Sequence, residues 1–231
     1  MATAKPASTP VRRRDTRAQE RGERTRALVI DETIRCIREE GFAAASTRHI
    51  IERAGVTWGV IQYYFGDRDG LLTAVIEHAS TTLTASLNQL ADTAAEVSDP
   101  RQRAESLTAA AWQVFFSPTC MTALEILIAT RAMQGTLDAD QLAGVIAGIG
   151  RIADAIGDST PHGLGIANLL WSSPVGMMVA QMVTSDPLPT APEQGALAAL
   201  IGEHLEANQR PAPLKAGAKA GSKPRSRRAR R

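Results

Sequence analysis

Of the 231 residues only nine are aromatic and only two are cysteine. Cys36 and Cys120 lie far apart, with neither a CxxC pair nor a Cys/His ligand spacing near them. That excludes a disulfide-stapled fold and gives no zinc-ligand signature, so both thiols read as small reduced core residues. No stretch alternates apolar and polar residues between hairpin turns, and no motif repeats at 20 to 50 residues, which leaves neither a sheet protein nor a solenoid. No apolar export segment opens the chain, and Asp15, Glu20 and Glu23 argue against a transit peptide; the expected location is the cytoplasm. The longest uncharged run, residues 163–185, has the length of a bilayer span. However, Asn168, Ser172, Ser173 and Gln181 are polar, and Pro174 should kink a helix there. A helix buried on more than one side, between its own domain and a partner subunit, is the better reading.

What is present is charge, unevenly distributed. Hydrophobic residues make up 44% and charged residues 22% of the chain, as in an ordinary globular protein, and the formal net charge is +2. Residues 1–26 carry eight Lys/Arg against three Asp/Glu, and residues 208–231 carry nine against none. The stretch between them is acidic: 27–78 has five basic and eight acidic residues, and 79–207 has four and thirteen. The basic ends have too little apolar surface to offset their ordering entropy, so residues 1–20 and 209–231 are expected to be disordered arms. Their chemistry suits nucleic-acid phosphates, whose neutralisation releases counterions; solubilising tails would look the same.

Between the arms the periodicity predicts an all-α chain of about nine helices. The first runs from Arg21 to Glu40, with Leu28, Ile30, Ile34 and Ile37 inward and Gly41 as its stop. Ser46 caps a second to Ala54, Thr57 a third to Tyr64, and Asp67 a fourth continuing to about Val97. Further helices are expected at about 101–116, 118–134, 138–157, 162–184 and 191–208, separated by Pro118, Gly135, Pro161 and the 186–192 cluster.

The run Ser46 to Leu72 is a helix-turn-helix pattern: a short helix, a turn on Ala54-Gly55-Val56, and a second short helix followed by aromatic residues. Four of the nine aromatics (Trp58, Tyr63, Tyr64 and Phe65) fall within eight residues. Gly59 lets backbone come close to DNA, and the tyrosines can donate phenolic hydrogen bonds to phosphate while their rings pack. In order and spacing, Ser46-Thr47-Arg48, Ile50, Ala54-Gly55-Val56-Thr57, Gly59, Ile61, Tyr63-Tyr64-Phe65, Arg68 and Leu71-Leu72 resemble the DNA-binding segment of the TetR (tetracycline-repressor-like) family of bacterial transcriptional regulators. The specific likeness covers about residues 24–78.

This resemblance implies that Thr47, Thr57, Tyr63, Tyr64 and Arg68 hold phosphates, that Ser46 caps, and that Arg48, Trp58, Gly59 and Gln62 face the groove. Gln62 stands where the family usually has a phosphate-binding tyrosine, so its amide is free to pair with adenine. Arg48 is the candidate guanine reader, with an ion pair to Glu52 one turn on as its alternative. His49 is assigned to the surface, and no metal or cofactor is expected.

The resemblance further implies a dimer formed through helices near 162–184 and 191–208, and a bundle enclosing a small-molecule effector. Apolar side chains after residue 100 supply lining candidates: Trp112, Phe115, Phe116, Met121, Met133, Trp171, Met177 and Met178. Arg131, a cation in an apolar run, could meet an anionic group, and Glu125 is a weaker candidate. The expected organisation is an arm (1–20), a DNA-binding domain (21–70), an effector and dimerisation domain (71–208) and a tail (209–231). The expected function is a ligand-released repressor on a pseudo-palindromic operator of double-stranded DNA. The competing class is a DNA-architectural protein whose basic ends dominate; an enzyme would need a nucleophile-base pair or metal set that the sequence lacks.

Overall fold

A computed structural model describes residues 11–134, 139–156 and 161–209. Among these residues there are nine α-helices and no strand: α1 Val11–Glu40, α2 Thr47–Ala54, α3 Trp58–Tyr64, α4 Arg68–Glu96, α5 Pro100–Phe115, α6 Pro118–Gln134, α7 Ala139–Ile156, α8 Pro161–Met182 and α9 Ala191–Gln209. A single 3-10 turn, Phe42–Ala44, joins α1 to α2. The arm expected over residues 1–20 needs correction, because α1 already begins at Val11. Arg, Gln, Glu and Ala are strong helix formers, and pairs one turn apart, Gln19 with Glu23 and Glu20 with Arg24, support the extension. Residues 1–10 and the tail 210–231 lie outside the described residues.

The helix ends obey local chemistry. Ser46 accepts from the His49 N–H at 3.3 Å, Asp67 from Gly70 at 2.8 Å and Asp99 from Gln102 at 2.7 Å, each satisfying an orphan donor of a first turn. Gly55 stops α2 in the left-handed conformation, φ 63°, which glycine adopts without a Cβ penalty.

Two apolar cores form. The first gathers Val29, Ile30, Ile34 and Ile37 of α1, Ile50 of α2, Ile61 of α3 and Leu71, Leu72, Val75 and Ile76 of α4. The second joins Leu87 and Leu90 of α4 to Leu107, Trp112 and Phe115 of α5, Ile152 and Ile156 of α7, Leu170 and Met178 of α8, and Ile201 and Leu205 of α9. Helix α5 lies along α9, and α4 along α7. Two helices connect the cores. One is α4, which contributes to both; the other is α6, whose fully buried Ile126 enters the first core while Cys120 belongs to the second. Both cysteines are buried free thiols.

No single helix among the described residues is long and apolar enough to cross a membrane. Only α5 and α6 together pass by length and composition, and they are bent by 57° at their junction.

Candidate nucleic-acid interface and effector cavity

The first core holds α2 and α3 from behind, so the side chains it does not use point outward. Ser46, Arg48, Thr57, Trp58, Gly59, Gln62 and Tyr63 are exposed, while Thr47, Tyr64 and Arg68 are half-buried. Trp58 is 53% and Tyr63 81% exposed. Both rings thus present aromatic area to solvent on one short helix. Thr57 sits at the N-cap of α3 in extended conformation, yet its hydroxyl makes no capping bond, so it is free for an outside acceptor or donor.

Arg48 donates from Nε to Glu52 Oε1 at 3.0 Å, an exposed pair of the kind worth roughly 0–1 kcal/mol. Such an exposed pair yields readily to a better acceptor, so it does not lock the Arg48 side chain in place.

Two phosphate candidates are turned inward. The Arg68 guanidinium lies 4.8 Å from the Phe42 ring centroid and donates to the Ala45 carbonyl at 2.8 Å and, more weakly, to Phe42 at 3.5 Å. It therefore braces the α1–α2 connection. The Phe42 carbonyl also accepts from the Ala45 N–H at 3.2 Å, so the stronger of the two guanidinium bonds is the one to Ala45. Tyr64 stacks edge-on against Tyr63, with ring centroids 4.8 Å apart, and its hydroxyl rests against α1, 2.7 Å from where a Cβ on Gly22 would stand. Of the two tyrosines, Tyr63 is the one presented outward.

Behind α2 lies a polar cluster that the helical periodicity does not show. Arg53, three-quarters buried, donates to Glu39 Oε2 at 2.8 Å and to Glu40 Oε1, and its Nε faces Glu32 at 3.5 Å without hydrogen-bond geometry. Hydrogen bonding to Glu39 raises the Arg53 pKa above its already high ordinary value. His49, far from being a lone surface residue, bonds through Nε2 to Glu40 Oε2 at 2.9 Å. That bond, reinforced by Arg53, holds the Glu40 carboxyl below the usual carboxylate range. Cys36 lies beneath, with its thiol pushed up by burial and then by Glu40.

The second candidate site is a cavity of about 160 Å³ between α4, α6, α7 and α8. Its walls are Ile76, Ala79, Ser80 and Leu83 of α4, Phe115 at the end of α5, Cys120, Ala123, Leu124 and Leu127 of α6, Val145 of α7, and Val175 and Met178 of α8. Ser80 contributes the one side-chain hydroxyl.

Only Phe115 and Met178 among the lining candidates read from the sequence are in that wall. Trp112 is buried in the core, its indole N–H without a hydrogen-bond partner. Phe116, Met121 and Met177 pack partly buried against the same core. Arg131 is exposed in the last turn of α6 and cannot serve the cavity, because its charge stays in water. The side chain of Met133 lies outside the described residues. Trp171 is on the outer face of α8, where its Nε1 donates to Asn168 Oδ1 at 3.1 Å. Glu125 is likewise engaged elsewhere: its Oε1 accepts from the Phe42 N–H at 3.0 Å, tying α6 to the turn between α1 and α2.

Along the outer face of α8, Leu164, Trp171 and Val179 are exposed at helical spacing, with Leu169 and Val183 nearby, and Leu200 is exposed on α9. That spacing makes an apolar stripe interrupted by the exposed Asn168 between Leu164 and Trp171.

Residues 29–75 match the family described as bacterial regulatory proteins, tetR family. Over 85 residues the chain is 38% identical to the HTH-type transcriptional regulator BetI of Burkholderia ambifaria, covering 37% of this chain and 43% of that protein. BetI of Burkholderia cenocepacia is 35% identical over the same span and coverage. The matched part thus spans less than half the length of these curated relatives. Among solved structures, a TetR-family transcriptional regulator from Pectobacterium atrosepticum superimposes with a TM-score of 0.53 at 21% identity, over 83% of this chain and 95% of that one. The TetR-like regulator LfrR from Mycobacterium smegmatis, solved with proflavine, gives 0.52 at 17% identity, over 82% and 98%. At these identities the two structures share the fold.

Proposed function

We propose that the chain, whose residues 29–75 match the tetR family of bacterial regulatory proteins, is a regulator of that family: a cytoplasmic, dimeric repressor that binds an operator through α2 and α3 and leaves it when an apolar molecule fills the cavity. One observation carries this reading above the others: the cavity is walled by α4 and α6, the same two helices that enter the core behind the recognition helix. A ligand there pushes on Ile76 and Leu127, each within the first core or packed on it, so cavity filling and head position are mechanically one event. The lining selects an uncharged, largely apolar effector, because a desolvated charge would meet no partner beyond the Ser80 hydroxyl. Release follows only if the effector binds the displaced state more tightly than the DNA-bound one.

The dimer rests on the α8 and α9 faces. Two recognition helices about 34–36 Å apart meet successive major-groove faces of a two-fold symmetric site. The stripe of Leu164, Trp171 and Val179 supplies an apolar patch for an isologous contact. Val179→Glu is expected to weaken dimerisation at least tenfold, about 1.4 kcal/mol, seen as monomer by sedimentation velocity. A variant that remains fully dimeric removes α8 from the interface.

On DNA, Arg48 exchanges Glu52 for a guanine edge, Gln62 addresses a base, and Thr57, Tyr63 and Thr47 hold phosphates. Arg48→Ala is expected to cost about 1–3 kcal/mol and to relax preference at one base position of each half-site. If fluorescence anisotropy on wild-type and single-base-variant sites gives unchanged affinity and unchanged preference, Arg48 is not a reader.

A further inference from the structure

The polar cluster behind α2 contains donors of three chemical kinds. Cys36 Sγ, a Glu40 carboxylate oxygen and a His49 ring nitrogen all lie within 4.8 Å of one another. Two come from the last two turns of α1 and one from the first turn of α2. Their burial is graded: Cys36 is fully buried at the floor, while His49 and Glu40, each about one-third exposed, form the rim.

We propose that Cys36, Glu40 and His49 bind a divalent transition-metal ion of borderline softness, zinc foremost, which ties the end of α1 to the start of α2. Thiolate, imidazole and carboxylate are the three ligand types zinc takes, and this mixture disfavours calcium and magnesium, which demand oxygen. Tetrahedral bonds of about 2.0–2.3 Å place donors roughly 3.3–3.8 Å apart, so a trio already within 4.8 Å needs to draw in by only about 1 Å to close on one ion. The ion replaces the proton now shared between His49 Nε2 and Glu40 Oε2. The Cys36 thiol, protonated while unligated, is deprotonated by coordination. Arg53 grips the other Glu40 oxygen and so aims the carboxylate, as an outer-shell partner does. Glu32 and Glu39 flank the pocket in ion pairs with Arg53, and Glu32 also pairs with Arg35, so they balance the arginine charge beside the site. Three protein ligands leave the fourth position to water on the open side.

The site is independent of the effector cavity, and its readout does not require operator binding. The test is titration of the full-length protein with cobalt(II), followed by zinc. One cobalt per chain is expected, with sulfur-to-cobalt charge-transfer absorption and intense tetrahedral visible bands that zinc abolishes. Cys36→Ser should remove the charge-transfer absorption. His49→Ala and Glu40→Gln should each weaken cobalt binding at least tenfold with an unchanged helical circular dichroism spectrum, and Cys120→Ser should change nothing. The two rim variants test the site even if serine at the buried Cys36 position prevents folding. Absence of a thiolate band in the wild-type protein, its loss in Cys120→Ser, or affinity for His49→Ala within twofold of wild type overturns the proposal.

Discussion

Alanine at position 70 is expected to collapse the reading head. A Cβ on Gly70 would stand 1.9 Å from the Phe65 carbonyl oxygen, and that neighbour is backbone, which no rotamer change can move aside. Gly70 sits in the first turn of α4, where the chain has just reversed through Gly66 at φ 79° and where Asp67 caps the helix by accepting from Gly70 itself. Relief requires shifting the α3–α4 connection, which breaks the cap and displaces Leu71 and Leu72 from the first core. Overpacking of a close approach costs about 1–3 kcal/mol where side chains can adjust, and more where they cannot; here a loss of about 3 kcal/mol or more is expected, measured by chemical denaturation. Gly59→Ala is the control, since a Cβ there meets only the Thr57 hydroxyl at 3.8 Å. It should leave stability within about 0.5 kcal/mol while altering DNA affinity.

Ile126→Ala is expected to be nearly as damaging and more informative. Ile126 is fully buried, and it is the residue of α6 that enters the first core. Truncation there removes buried methyl groups and leaves a cavity, for about 2–5 kcal/mol. The exposed Ile128, two positions on, should tolerate the same change within about 0.5 kcal/mol. Because α6 also walls the cavity, the proposed release mechanism predicts that Ile126→Ala reduces the ratio of operator affinities measured without and with a saturating apolar effector. Equal ratios in wild type and variant would show that α6 does not transmit the signal.

The helix-turn-helix was legible in the sequence because most of its boundaries are set by local chemical events, the start of α3 excepted, where the Thr57 hydroxyl makes no capping bond. Ser46 and Asp67 are capping side chains, Gly55 is a left-handed stop, and Ile50 and Ile61 are the inward positions that the turn brings together. What escaped was everything determined by distance along the chain. The fate of Arg68 depended on two carbonyls 23 and 26 residues away. The donors at 36, 40 and 49 lie on two helices whose angle no spacing rule supplies. The cavity lining is hidden for a related reason: large and sulfur-containing side chains do not mark it, because the walls of a void are made where helices diverge, with small Ala79, Ser80 and Ala123 leaving the room. The N-terminus differs in kind. The arginines of residues 11–20 suggest an arm, but alternating basic, acidic and amide side chains also favour a helix, and α1 runs through them.

The charge distribution fits this division of labour. The stretch 79–207 carries nine more acidic than basic residues and is repelled by a duplex. On the proposed function, attraction falls to the basic N-terminal and C-terminal segments of the sequence and to a few groups on α2 and α3, and sequence preference and electrostatic affinity then come from different parts of the chain.

The most direct test of the central claim is selection of bound duplexes from a random pool by the full-length protein. If α2 and α3 of a dimer read the major groove, selection will return a two-fold symmetric pair of half-sites, and Arg48→Ala will blur one position in each half. If binding instead rests on the basic ends alone, the recovered pool will show no common motif and affinity will depend only on salt, and the account of α2 and α3 as a reading head will be wrong.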